Sequence, residues 1–137
     1  MADLVITVGN VLAASTAVVA IGVAAESLSA GQVIYKDATN SNKITRADAN
    51  AGAATSAAVG ITLHAALAGQ PIQYIVSGGF NPGATVAVGT IYIVSSAAGG
   101  IAPSSDLAST WYTTILGIAT TTTNINVQIN SGGVAVP

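Results

Sequence analysis

Hydrophobic positions in this chain recur with a period of two, in short runs separated by glycine, small residues and amides. The stretch 59–78 sets the pattern. It holds two apolar runs, Gly60-Ile61-Thr62-Leu63 and Ile72-Gln73-Tyr74-Ile75-Val76, joined by the small-residue connection 64–70 with Gly69 where a reversal needs a permissive backbone. In the second run Ile72, Tyr74 and Val76 share one face and Gln73 takes the other, which is strand alternation and not helical spacing. The strictest alternation is Ile125-Asn126-Val127-Gln128-Ile129-Asn130, with branched apolar residues on one side and amides on the other.

The same reading predicts strands over 4–8, 16–23, 32–35, 86–88, 91–94 and 111–119, with Gly117 marking a bulge. Residues 38–42 form a polar turn, 95–105 a loop, and 78–83 a turn, the last because three glycines and a proline fall within it. Residues 44–50 start a short helix with Thr45 as cap and Asp48 three residues on, and 51–58 add one or two helical turns at most. Phrases repeat: Val59-Gly60-Ile61 is echoed by Leu116-Gly117-Ile118, and Ser77-Gly78-Gly79 by Ser131-Gly132-Gly133. Many short strands with regular turns and no long helical period predict an all-β fold, a compact sandwich or barrel of short antiparallel strands. Residues 1–29 read as an N-terminal β segment and 30–137 as the body, together one domain.

Charge alters this picture. Only 6% of the 137 residues are charged, against about 25% in an ordinary soluble domain. Beyond Ala49 the single charge is Asp106, so a neighbouring subunit would have almost no charge to desolvate, and a homo-oligomer is expected. Lys36, Lys43 and Arg46 lie in one segment beside Asp37 and Asp48, a mixed-charge exposed loop and not the basic stripe that nucleic acid requires. With no cysteine, a disulfide scaffold and a thiolate metal site are both excluded. Residues 4–25 carry no charge, yet Thr7, Gly9, Asn10, Ser15, Thr16 and Gly22 interrupt them and the flank is acidic, so strands are expected and not a membrane span.

Candidate chemistry is sparse. His64 is the one histidine and reads as a turn residue between two strands; no serine sits in a nucleophile elbow. Asp37 and Asp48 have basic neighbours and lack the spacing of a calcium loop. No catalytic, cofactor-binding or metal-ligating residue is predicted, and the chain is expected not to be an enzyme. Trp111-Tyr112 is the one aromatic pair, either split between core and surface or a recognition platform.

One ordered series of phrases carries a resemblance. It runs from Ala30-Gly31-Gln32-Val33-Ile34-Tyr35-Lys36-Asp37 through 44–50, Val59-Gly60-Ile61-Thr62 with Ala65-Ala66, and Ala68-Gly69-Gln70-Pro71-Ile72 ending at Gly78. It continues through Gly89-Thr90-Ile91-Tyr92-Ile93-Val94-Ser95 with Gly99-Gly100-Ile101, and closes on Ile115-Leu116-Gly117-Ile118-Ala119 with Ile125-Asn126-Val127. In that order the phrases resemble the small capsid decoration, or cement, proteins of tailed bacteriophages. The resemblance implies a compact β domain, commonly a homotrimer, on the outer surface of the virion head, where it bridges major capsid protein subunits without cofactor, nucleic acid or membrane. Under that expectation Asp3, Leu4, Val5, Ile6 and Thr7 form an arm that contacts the capsid. The alternative is a receptor- or glycan-binding module of a fibre, spike or tail that uses Trp111 and Tyr112.

Overall fold

The structure is a computed structural model that describes residues 3–137. Ten strands make one curled antiparallel sheet: β1 (Val11–Ala13), β2 (Val18–Val23), β3 (Val33–Asp37), β4 (Lys43–Arg46), β5 (Gly60–Thr62), β6 (Pro71–Pro82), β7 (Ile91–Val94), β8 (Ile101–Pro103), β9 (Tyr112–Ala119) and β10 (Ile125–Ala135). The α-helical content among the described residues is one turn, α1 (Ala53–Ser56), within the predicted limit. The all-β class holds, although β6 and β10 are long strands of 12 and 11 residues.

β6 is the spine. Along one edge it pairs with β1, from Val11↔Pro82 to Ala13↔Phe80, and then with β2, from Val18↔Ser77 to Val23↔Pro71. Its other edge takes β5 beside Tyr74 and Ile75, then β10 from Ser77 to Phe80. Two wings leave this spine, β5-β3-β4 and β10-β9-β7-β8. Each wing has the same connectivity, a hairpin followed by a strand and then a long strand, so the repeated phrases of the sequence correspond to a repeated structural unit.

Both faces of the first wing are buried, and its alternation serves two cores. Ile34, Ile44, Ile72 and Tyr74 point inward with Leu28 and Ala66. Val33, Ile61 and Ile75 point the other way and join Phe80, Tyr92, Val94, Ile101, Leu116, Ile125 and Val127 of the second wing. Each such side chain contributes about 1.5–3 kcal/mol on burial, which makes these two clusters the dominant stabilising term. The wing curls until Ala24, just past β2, meets Ile44 in an isolated parallel bridge. That contact closes a small half-barrel around Tyr74.

The strand β6 must serve both cores in turn. Ile75 and Phe80 are five residues apart, yet both enter the larger core. A bulge at Val76 and a positive φ of 96° at Gly78 shift the alternation between them. This corrects the prediction that 78–83 is a turn. A Cβ on Gly78 would meet the Thr16 carbonyl oxygen at 2.4 Å, and one on Gly79 would meet Ala14 Cβ at 2.8 Å. The glycines therefore allow β6 to run under the 14–17 turn, and they do not reverse the chain.

Four further expectations are corrected. Residues 4–8 are not a strand: Val8–Asn10 is a 3-10 turn, and the segment is held by Leu4 N–H to Ile101 O and Thr7 N–H to Gly83 O. Residues 44–50 do not start a helix, because Ile44 is fully buried and Lys43–Arg46 pairs with β3 as a hairpin. The 86–88 stretch is not a strand, and Val86 is simply a core residue. The 95–105 loop contains β8, which pairs with β7 from Tyr92↔Pro103 to Val94↔Ile101. The bulge expected near Gly117 is present: Tyr92 opposes Gly117 while Ile93 opposes Ile115, which leaves Leu116 as the extra residue.

Candidate interaction surface

His64, Asp37 and Asp48 are tied into local structure. His64 spans the β5–β6 connection: its Nε2 accepts from Gln73 N–H at 3.1 Å and its Nδ1 stands 2.9 Å from Ala65 O. Because Nε2 accepts, Nδ1 carries the proton and donates. Asp37 caps the turn at Ala38–Asn40 by accepting from Thr39 N–H and Oγ1–H, and Asp48 accepts from Asn50 N–H. Among the described residues, no group of three or more potential ligands gathers to hold a metal ion, and no buried side-chain nitrogen or oxygen lacks a partner.

The charged segment is a hairpin and not a loop. Lys36 and Asp37 end β3, Lys43 and Arg46 lie in β4, and Asp48 follows it. Lys36 and Arg46 are exposed; Asp37, Lys43 and Asp48 are half-buried. Arg46 Nη2 donates to Glu26 Oε1 at 2.9 Å, and Thr45 Oγ1 and Arg46 N–H donate to Glu26 Oε2. Burial pushes the Glu26 carboxyl up, but the hydrogen bonds from Thr45 and Arg46 and the guanidinium charge outweigh it, and its pKa lies below the ordinary 4.5. Beside it, burial raises the Tyr35 pKa, with the Asp37 and Glu26 charges acting in the same direction.

Trp111 and Tyr112 are each half-buried, and Trp111 packs against the larger core. The segment 3–7 lies on the body: the Asp3 carboxylate accepts from Ser95 Oγ at 2.8 and 2.7 Å, and Leu4 and Ile6 pack on the same core. Val5 and Thr7 face solvent, Val5 at 88% exposure. Between this segment, β1 and the 81–85 turn lies an open cleft of about 690 Å³. Thr7, Asn10, Asn81, Thr85 and Thr123 line it with Val5 and Leu12, and no charged side chain does.

The sheet edges differ. The outer edge of β8 is covered where Leu4 N–H bonds Ile101 O. β4 is covered by Ala24 to Glu26, through Ala25 N–H to Ile44 O and the Glu26 contacts just described. β2 pairs only with β6, and its far edge is open from Val18 to Gly22. Here the usual arrangement is inverted. The small residues Ala20, Gly22 and Ala24 point into the half-barrel, while Val19 (42% exposed), Ile21 (66%) and Val23 (42%) form a row on the outside. The signal in the sequence is this alternation of small with β-branched residues, which the uninterrupted apolar character of 4–25 concealed. Among the described residues no helix is long and apolar enough to cross a membrane. No protein-family model matches this chain, and no curated protein matches it significantly.

Proposed function

We propose that this protein is a structural component of a phage virion that binds the outside of an assembled head and stabilises the shell by bridging major capsid protein subunits. The observation that carries the reading is the distribution of charge against exposed apolar surface. Apart from Asp3 and Asp106, every charge lies between Glu26 and Asp48, while Leu12 of β1 and Val18, Val19, Ile21 and Val23 of β2 lie exposed. Apolar, charge-poor surface of this kind favours permanent packing against other protein. The ordered strand-and-turn phrases that resemble decoration proteins support the same reading, and the polar bonds of His64, Asp37 and Asp48 serve the fold.

The mechanism is linkage. A protein that binds only the assembled shell stabilises it by RT ln(1 + [L]/Kd) per site, and an oligomer touching several subunits adds avidity. The test is co-sedimentation of the purified protein with heads that lack it. Binding at a fixed stoichiometry with a raised melting temperature of the heads is the expected result. A protein that ignores heads overturns the reading and moves weight to a fibre or tail module, which glycan-array binding lost on Trp111→Ala would identify.

A further inference from the structure

We infer that the open edge of β2 pairs with the same edge of a second copy of this chain, antiparallel and about a two-fold axis. This inference concerns self-assembly and is independent of the virion reading. The chain itself covers its sheet edges at β8 and at β4. The edge of β2 is left open and runs in regular register from Val19 to Val23, and an open strand edge is a template for another strand. Natural edges of this kind are usually blunted by charge, proline or an inward-pointing lysine. Residues 4–25 contain none of these.

Backbone geometry selects the register. Ala24 N–H points to Gln70 O on the β6 side, and Ala25 N–H points away, to Ile44 O. By strand alternation the N–H and C=O of Val19 and Ile21 also point away from β6, toward the open edge. Pairing Val19 of one copy with Ile21 of the other satisfies all of these groups and places Ala20 opposite its own copy at the axis. Paired residues share a face, so the two Val19-Ile21-Val23 rows merge into one apolar strip on the outside of a continuous sheet.

A second copy suits this edge better than other occupants. Of the chain's other unpaired edges, β1 is only three residues long and 129–135 of β10 is interrupted by a register shift and by Gly133 at φ 68°, so neither offers the regular complement to β2 that a head-to-tail ring would need. The isologous contact also sets uncharged strand against uncharged strand, which desolvates no charge. The state it gives is two-fold and differs from the trimer that the resemblance implies.

The experiment measures solution mass by light scattering across a dilution series, with amide exchange at Val19 and Ile21 on the same samples. The expected result is twice the 13.3 kDa chain mass and slow exchange at both amides. Ile21→Lys places like charges beside the axis twice over and raises the dimer dissociation constant about a hundredfold, with release of the Val19 amide. Leu67→Lys, equally exposed but on the 64–70 connection, leaves the mass unchanged and controls for nonspecific charge effects. A single-chain mass, a trimer, or a dimer indifferent to Ile21→Lys overturns the inference. Head binding with a monomeric mass would overturn it too, assign the edge to a capsid strand, and leave the virion reading standing.

Discussion

The ring of Tyr74 lies against Gly60: a Cβ built on Gly60 would stand 2.5 Å from Tyr74 Cδ2 and 2.4 Å from the carbonyl oxygen of Ile75. On the other side of the half-barrel the ring edge lies 3.5 Å from the Cβ position of Gly22. Two glycines on two strands therefore make room for one aromatic side chain, and the curl of the first wing depends on that space. Gly60→Ala is expected to cost about 2–3 kcal/mol, because the obstructing atom is backbone and cannot rotate away. Gly69→Ala, at φ +85° with nothing near its Cβ, meets only backbone strain of about 1–2 kcal/mol. Urea denaturation of the two variants measures both, and equal losses would remove the steric account.

Glu26 joins the segment after β2 to β4, so the closure of the half-barrel is pH-dependent. Its pKa is lowered in the folded protein, so its contribution is fully present above 4.5 and is lost as pH falls through the folded value. The groups are partly exposed, with side-chain accessibilities of 40% for Arg46 and 33% for Glu26, and solvent screening keeps the gain below about 1 kcal/mol. Glu26→Gln is expected to be less stable than the parent at pH 7 and to converge with it at acidic pH. Thermal midpoints of parent and variant across pH 7 to pH 2.5 check this, and a gap that persists at the acid end refutes the linkage.

How far the fold was legible depended on whether one strand face meets water. Residues 125–130 and the 60–76 hairpin read correctly because amides or Gln73 mark the exposed side. The 44–50 stretch misled because Thr45 and Asp48 mimic a helix cap, whereas the burial of Ile44 between β3 and Ala24 decides for strand. Ser77-Gly78-Gly79 misled for another reason: glycine for close approach and glycine for reversal are the same letter, and only the position of Ala14 and Thr16 separates them. The candidate surface was the least legible. Val19, Ile21 and Val23 are plainly apolar in sequence, but whether they face a core depends on which edge the distant strands leave open.

His64 fastens the hairpin that begins β6. Replacing it with alanine removes the acceptor for Gln73 N–H and the bond to Ala65 O at an exposed site. The expected loss is about 0.5–1.5 kcal/mol, with faster exchange of the Gln73 amide and no change in oligomer mass. A larger loss that spreads to amides throughout β6 would give His64 a wider role than fastening this connection.

The segment 3–7 is anchored by Asp3, Leu4 and Ile6 while Val5 faces solvent, which separates its stabilising role from its proposed capsid contact. Asp3 bonds Ser95, and Leu4 and Ile6 pack on the larger core, so removing the whole segment would uncover Ile101 and confound any binding measurement. Substitutions divide the roles. Asp3→Ala is expected to cost about 1–2 kcal/mol, since it leaves the Ser95 hydroxyl, which itself accepts from Ala97 N–H, without its acceptor. Val5→Asp changes a side chain that the body hardly touches and should alter stability by no more than about 0.5 kcal/mol. If the segment lies against the shell, Val5→Asp buries a charge at that contact and head occupancy falls at least about tenfold while the melting curve of the free protein stays in place. Unchanged occupancy for Val5→Asp would remove residues 3–7 from the capsid contact and leave them only the task of covering the edge of β8.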